Sequence, residues 1–233
     1  MENKTILITG ASSGVGYQTA MQLAAKGHSV IALARNAELL NQLSNTSNGK
    51  IISFPHDLSQ LNFESLVNFL NEKSITKIDV LINNAGQLVN KPFENISKED
   101  LQTAYNTNVF APYLLIQSLL GHLKNSSSAH IINISSVGGI QGSVKFAGLS
   151  AYSSSKGALS ILTECLAEEF KETIIKVNCL ALGAVNTEML AQAFPGYNAP
   201  LSAAEMSNYV TWFAENGHHY FNGKIIPVAL STP

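Results

Sequence analysis

The sequence predicts an α/β fold in which a seven-stranded, doubly wound parallel sheet lies between two layers of helices. Three observations support this class. Short apolar runs alternate with longer helical patterns, the runs are nearly continuous in Ile, Val and Leu, and a glycine-rich turn follows the first run. Strands that are covered on both faces carry such unbroken runs. A regular alternation of strands and helices then implies parallel strands joined by right-handed crossovers.

Seven runs are predicted as strands and six stretches as helices. The predicted strands are Thr5–Thr9, Ser29–Ala34, Lys50–Phe54, Ile78–Ile82, His130–Ile134, Ile174–Cys179 and Lys224–Val228. The predicted helices are Gly14–Lys26, Ala37–Leu43, Phe63–Asn71, Leu101–Leu123, Ala151–Phe170 and Ala203–Asn216. The irregular segment Gly183–Pro200 is predicted as a loop or lid. Because no linker or repeat divides the chain, we expect residues 1–233 to form one domain.

Composition and charge argue against several classes of function. The 233 residues include 14 Lys and Arg and 16 Asp and Glu, and no basic stripe occurs, so neither nucleic acid nor a membrane surface is an expected partner. Two cysteines do not make a disulfide framework. No signal peptide is recognised, and the apolar run Val109–Leu120 is broken by Pro112 and Gln117, so we expect a cytoplasmic protein. His218 and His219 are adjacent and lack metal-ligand spacing, so no metal site is expected.

A glycine-rich turn, Thr9-Gly10-Ala11-Ser12-Ser13-Gly14-Val15-Gly16, joins the first strand to the first helix. Gly10 permits a tight turn, Gly14 lets the backbone approach a pyrophosphate, and Gly16 lets the helix pack closely on the sheet. The helix N-terminus adds N–H groups and a partial positive charge. The turn therefore predicts dinucleotide binding over a plain structural turn. The expected contacts are Gly10, Ser12, Ser13, Gly14, Val15 and Gly16.

The ends of the next three strands carry candidate contacts for the adenosine half of a dinucleotide. Arg35 ends the second strand and no acid follows until Glu38, so NADP(H) is preferred, with NAD(H) as an alternative and a solvated surface arginine as the simpler interpretation. Asp57 either accepts a hydrogen bond from adenine or caps its own turn. The run Asn84-Ala85-Gly86 leaves room for a cofactor, although such loops are common.

Tyr152 and Lys156 lie four residues apart at the start of a predicted helix and therefore share a face. A phenol with a pKa of about 10 is a poor acid or base at neutral pH, and a nearby ammonium lowers that pKa. The pair is thus a candidate general acid/base, although the same spacing also occurs in ordinary exposed pairs. Ser135 and Ser136 follow the fifth strand, and Asn108 lies within a helical stretch.

In their order and spacing, these pieces resemble the motifs of the short-chain dehydrogenases/reductases. The motifs are Thr9-Gly-x-x-x-Gly-x-Gly16, Asp57, Asn83-Asn-Ala-Gly86, Asn108, Ser136 and Tyr152-x-x-x-Lys156. The resemblance extends from about Lys4 to Thr187. It implies one Rossmann-type domain that binds both cofactor and substrate, and a catalytic tetrad of Asn108, Ser136, Tyr152 and Lys156.

The resemblance also implies a role for each member of the tetrad. Tyr152 gives a proton to the carbonyl oxygen in reduction, and Ser136, with Ser135 as the alternative, hydrogen-bonds that oxygen. Lys156 holds the nicotinamide ribose and lowers the pKa of Tyr152, while Asn108 fixes a water that links Lys156 to solvent. Thr187 matches the threonine that contacts the nicotinamide carboxamide.

The chain departs from the family pattern at two places. Leu182 precedes Gly183 where the family usually has Pro, so the wall near the nicotinamide is expected to differ from the family pattern. Pro227-Val228-Ala229-Leu230 replaces the usual Asp-Gly-Gly close, and a proline within a strand suits an edge position. A homodimer or homotetramer is expected, with pairing through the helices that contain Asn108 and Tyr152.

The resulting hypothesis is an oxidoreductase that transfers a hydride between NADP(H) and a small-molecule carbonyl or alcohol. A 3-oxoacyl-carrier-protein reductase and a non-catalytic NADP(H)-sensing protein remain as alternatives. A mostly apolar substrate is expected, because the two loops that should border it are rich in apolar side chains. Those side chains are Val144, Phe146, Leu149, Met189, Leu190, Phe194 and Tyr197.

Overall fold

The computed structural model describes residues 3–232, and seven of its strands form one parallel sheet in the order β3-β2-β1-β4-β5-β6-β7. The strands are β1 (Thr5–Thr9), β2 (Ser29–Ala34), β3 (Ile51–Pro55), β4 (Val80–Asn83), β5 (Ala129–Ser136), β6 (Ile175–Leu182) and β7 (Ile225–Val228). The predicted class, a doubly wound Rossmann-type three-layer sandwich, is confirmed. Pro227 lies in an edge strand, where its missing N–H costs no ladder bond on the outer side.

Helices cover both faces of the sheet. They are α1 (Gly14–Ala25), α2 (Ala37–Asn45), α3 (Glu64–Glu72), α4 (Lys98–Tyr105), α5 (Ala111–Lys124), α6 (Ser150–Glu169), α7 (Glu188–Ala193) and α8 (Ala203–Asn216). Across residues 3–232, no helix is both long and apolar enough to cross a bilayer.

Two helical segments differ from the prediction. The single helix predicted over Leu101–Leu123 is two helices, α4 and α5, joined by a π-helical turn at Asn106–Phe110. Pro112 stands in the first turn of α5, where its missing N–H is tolerated, and so it favours a new helix start over an unbroken helix. Helix α7 lies within Gly183–Pro200, which was predicted as a loop or lid.

The core consists of two apolar layers, one on each face of the sheet. Along β1, Ile6 and Ile8 point into the layer shared with α1 and α8, while Leu7 points into the layer shared with α3, α5 and α6. All three side chains are fully buried. This two-residue alternation between two dry faces explains why the strands are continuously apolar in sequence.

The strand order places a cleft at the centre of the sheet. Strand β1 pairs with β2 on one side and with β4 on the other, so the chain crosses over in opposite directions from this point. In open α/β sheets, ligands bind beyond the carboxyl ends of the strands at such a switch point. The loops that follow β1 to β6 therefore converge on one side of the molecule.

Candidate active site

The carboxyl ends of the central strands border one continuous cleft, and every predicted catalytic or cofactor-binding residue except Asn108 lines it. The residues concerned are Gly10, Ser12, Ser13, Gly14, Val15, Gly16, Arg35, Asp57, Asn84, Ala85, Gly86, Ser136, Tyr152, Lys156 and Thr187. Residues spread over most of the chain thus meet in one place.

The glycine-rich turn has the backbone shape that the sequence predicts. Gly10 has φ of +68°, a conformation that side chains disfavour. A Cβ on Gly16 would lie 2.3 Å from the Gly10 carbonyl oxygen, so only glycine lets α1 start this close to the turn. Ser13 is the N-cap residue of α1, but its side chain makes no capping bond. The first N–H groups of α1 therefore lack that partner, which fits an anionic pyrophosphate.

Asn84 and Thr9 lock the turn to the end of β4. The Asn84 side-chain amide donates to the Thr9 carbonyl at 2.9 Å and to the Gly10 carbonyl at 3.3 Å. The Thr9 hydroxyl accepts from the backbone N–H groups of Asn84 at 3.1 Å and Ala85 at 3.0 Å. Asn84 therefore shapes the glycine-rich turn as well as lining the cleft, a role that its sequence context does not reveal.

Arg35 and Asp57 lie at the end of the cleft formed by β2 and β3. Arg35 is exposed, and Asp57 caps its own turn by accepting from the Ser59 N–H at 3.0 Å. Burial acts to raise the pKa of Asp57, but the hydrogen bonds from Ser59 and the charge of Arg35 outweigh it and hold this pKa below its usual value. Asn36 and His56 line the same end, and neither was predicted as a site residue.

Ser136, Tyr152 and Lys156 converge at the floor of the cleft. Lys156 Nζ lies 5.9 Å from the centre of the Tyr152 ring and donates to the Ile134 carbonyl at 2.8 Å. Burial lowers the pKa of Lys156 to about 8. Burial also raises the pKa of Tyr152 to about 12, although its side chain borders the cleft, and a hydrogen bond with the Ser136 hydroxyl opposes this rise.

The net shift of the Tyr152 pKa is thus upward rather than downward, and the lowering of this pKa by Lys156 stays a prediction. The loss of water around the phenol sets the direction of this pKa shift, since a buried phenolate is poorly solvated. The two serines also separate. The Ser135 hydroxyl is buried and donates to the Lys156 carbonyl at 2.8 Å, whereas Ser136 interacts with Tyr152.

Asn108 is fully buried within the π-helical turn between α4 and α5 and does not line the cleft. Its amide nitrogen donates to the Gln87 carbonyl at 3.0 Å and to the Ser155 hydroxyl at 2.9 Å, and its oxygen accepts from the Gln87 N–H at 2.8 Å. Both amide N–H donors are thus used within the protein. The side chain clamps the segment after β4 to helix α6, and the fixing of a water by Asn108 stays a prediction.

Apolar side chains line the other end of the cleft. They include Leu88, Val137, Phe146, Leu149, Leu182, Met189, Leu190 and Phe194. Two predicted members are absent from this lining: Val144 is 55% exposed, and the Tyr197 hydroxyl instead pairs with the Ser231 hydroxyl at 3.0 Å. Sequence position alone cannot show which side of a loop faces a pocket.

Thr187 caps the short helix α7, because its hydroxyl oxygen accepts from the Leu190 N–H at 3.3 Å. A Cβ on Gly14 would lie 3.4 Å from the Thr187 methyl group, so the start of α7 sits directly over the glycine-rich turn. Thr187 therefore lies where the glycine-rich turn adjoins the apolar part of the cleft.

Comparison with known proteins agrees with this geometry. Residues 4–198 match the sequence profile of the short chain dehydrogenase family. The chain belongs to the short-chain dehydrogenase/reductase family. It is 33% identical over 214 residues to the ketoacyl reductase HetN of Nostoc sp., covering 88% of this chain and 74% of the relative.

Two solved structures are similar to this chain over nearly its whole length. A short chain dehydrogenase from Shigella flexneri in complex with NADP has a TM-score of 0.88 at 29% identity, covering 97% of both chains. A 4-hydroxyisoleucine dehydrogenase in complex with NADH has a TM-score of 0.87 at 25% identity, again covering 97% of both chains. The chain is thus an oxidoreductase of a family that uses nicotinamide cofactors.

Proposed function

We propose that this short-chain dehydrogenase/reductase reduces an apolar carbonyl compound, or oxidises the matching alcohol, with NADP(H). The observation that carries the proposal is the convergence of Ser136, Tyr152 and Lys156 at the floor of the same cleft that the glycine-rich turn opens into. A nicotinamide cofactor supplies or takes the hydride when it is bound. One domain then binds both cofactor and substrate.

The proposed proton donor is Tyr152. Because its pKa is raised to about 12, the phenol keeps its proton at neutral pH and can give it to a carbonyl oxygen during reduction. Ser136 is the proposed hydrogen-bond donor to the same oxygen. Lys156, with a pKa of about 8, is mostly charged at pH 7 and is the proposed contact of the nicotinamide ribose.

The cofactor residues are proposed in the glycine-rich turn, after β2 and at the start of α7. The backbone N–H groups at the start of α1, with Ser12 and Ser13, would hold the pyrophosphate. Arg35 would pair with a 2′-phosphate, and Thr187 would contact the carboxamide. The NADP complex of the Shigella flexneri relative supports this choice, whereas the NADH complex of the other relative keeps NAD(H) as the alternative.

The substrate end of the cleft favours an uncharged, apolar partner. Its lining consists mainly of aliphatic and aromatic side chains. The charged residues Arg35 and Asp57 also line the cleft, but they lie at the opposite end, after β2 and β3. A carboxylate or phosphate on the substrate would thus lack a cation beyond Lys156. A ketoacyl thioester is the second candidate, since HetN, the relative at 33% identity, is a ketoacyl reductase.

An NADPH-oxidation screen against a panel of ketones, aldehydes, 2-oxo acids and 3-oxoacyl thioesters tests the proposal. We expect turnover of apolar ketones or thioesters and little turnover of 2-oxo acids. Tight NADPH binding with no turnover on any class would instead point to a cofactor-sensing protein. Preferred turnover of 2-oxo acids would contradict the apolar assignment.

We also propose that the protein is at least a homodimer. Helix α5 and the turn before it expose Tyr113 and Phe110 at 47% and 46%, and α6 exposes Ile161 at 59%. Large apolar side chains at this exposure on neighbouring helices favour association. Sedimentation velocity tests this directly, and Ile161→Lys should shift the protein toward a monomer if α6 contributes.

A further inference from the structure

The substrate end of the cleft is covered by residues 187–197, called the lid segment below. Met189, Leu190, Ala193 and Phe194 of this segment line the cleft. Its helix, α7, has only six residues, so it is too short to hold its place by internal hydrogen bonds alone. Contacts with other parts of the chain must therefore set its position.

Asn90 supplies such a contact at the C-terminal end of α7. Its side-chain amide donates to the Ala193 carbonyl at 3.0 Å. The last carbonyl groups of a helix lack partners within the helix, so this bond satisfies one of them. Asn90 belongs to the segment after β4, and the bond therefore joins the lid segment to this segment.

Gly148 packs against the side chain of Asn90. A Cβ at position 148 would lie 2.3 Å from the Asn90 side-chain oxygen, so the amide packs directly against the bare α-carbon. The neighbouring Lys91 N–H donates to the Gly148 carbonyl at 3.0 Å. Asn90 is thus held on one side by the loop before α6 and binds the lid segment on the other.

An aromatic contact lies beside this junction. Phe194, the residue after Ala193, meets Phe146 edge to face with ring centres 5.0 Å apart and planes at 74°. Phe146 lies two residues before Gly148, so the ring contact joins the lid segment to the loop before α6, while the hydrogen bond joins it to the segment after β4. Both rings line the cleft.

We propose that Asn90 is a positioning residue that holds the lid segment, so that Phe194 and Phe146 together form the far wall of the substrate pocket. This inference rests on the proposed reductase function. Asn90 does not touch the reacting atoms, and its effect is on how firmly an apolar substrate is covered. The requirement is specific, because the residue must donate to a carbonyl and still fit against Gly148.

The expected effect follows from the loss of one hydrogen bond. Asn90→Asp keeps the shape but removes the donor and faces the Ala193 carbonyl with a second acceptor. We expect KM for an apolar ketone to rise about two- to twelvefold, equivalent to about 0.5–1.5 kcal/mol, with kcat within about twofold of wild type. The amides of residues 188–197 should exchange hydrogen faster by a similar factor.

Asn125→Asp is the matched control. Asn125 is also exposed and donates from its amide to a backbone carbonyl, that of Thr76, at 3.0 Å, but it precedes β5 at the opposite end of the sheet. The experiment measures kcat and KM with NADPH and hydrogen exchange of residues 188–197 in wild type, Asn90→Asp, Asn90→Ala and Asn125→Asp. Raised KM and faster lid exchange confined to the Asn90 variants support the proposal.

Unchanged KM and unchanged exchange in both Asn90 variants would overturn the inference, and so would equal changes in Asn125→Asp. If the wild type turns over no carbonyl compound, the proposed function fails. Hydrogen exchange still decides whether Asn90 anchors the lid segment, because it needs no turnover.

Discussion

Replacing Arg35 by Ala should remove most of a preference for NADPH over NADH. A charge-assisted hydrogen bond contributes about 1.5–3 kcal/mol, which corresponds to roughly ten- to hundredfold in affinity. Arg35 is exposed, so salt screens its charge, and Ser12 and Ser13 add hydroxyl groups but no second cation. We therefore expect the lower end, about tenfold, at physiological salt.

The assay is a fluorescence titration of NADPH and NADH into wild type, Arg35→Ala and Arg35→Lys. Arg35→Ala should bind NADPH about tenfold more weakly and NADH nearly as before. Arg35→Lys should be intermediate, since it keeps the charge without the paired donors. Equal affinities for the two cofactors in wild type, or an unchanged preference in Arg35→Ala, would refute the assignment of Arg35.

Two further predictions concern titrating groups. The rate of reduction should decrease above about pH 8, because Lys156 loses its proton there. Lys156→Met should be slower overall, and its pH–rate profile should lack this decrease. A decrease that remains in Lys156→Met would show that another group causes it. Burial lowers the pKa of His130 to about 3, with His218 adding to the effect, so the unfolded chain binds the proton first. The contribution of His130 to the free energy of unfolding should thus be complete above pH 6.5 and fall toward pH 3 by at most about 1.4 kcal/mol per pH unit, and the measured slope should flatten by this amount in His130→Gln in urea titrations.

The glycine-rich turn and the convergence of the site residues could both be predicted from the sequence. Helix α1 begins at Gly14, as the glycine-rich turn predicts, because the backbone conformation at Gly10 and the close approach at Gly16 require glycine and so leave a recognisable pattern. The predicted site residues converge because parallel strands bring their carboxyl ends to one side. Both features follow from chain order and residue type, which a sequence contains.

Other features depend on packing across the chain and could not be predicted. The pKa of Tyr152 is set by how much water the fold excludes around the phenol, which spacing to Lys156 does not reveal. The clamp formed by Asn108 needs the π-helical turn that brings it under Gln87. Helix α7 is short, and its position depends on Asn90, which no motif contains.

The most direct test of the proposed mechanism is the turnover of Tyr152→Phe. The variant keeps the ring at the floor of the cleft but removes the proposed proton donor. We expect kcat for reduction to fall about 10²–10⁴-fold, while the affinity for NADPH in a fluorescence titration stays within about twofold. Near-full activity of Tyr152→Phe on the same substrate would contradict the assignment of Tyr152 as the general acid.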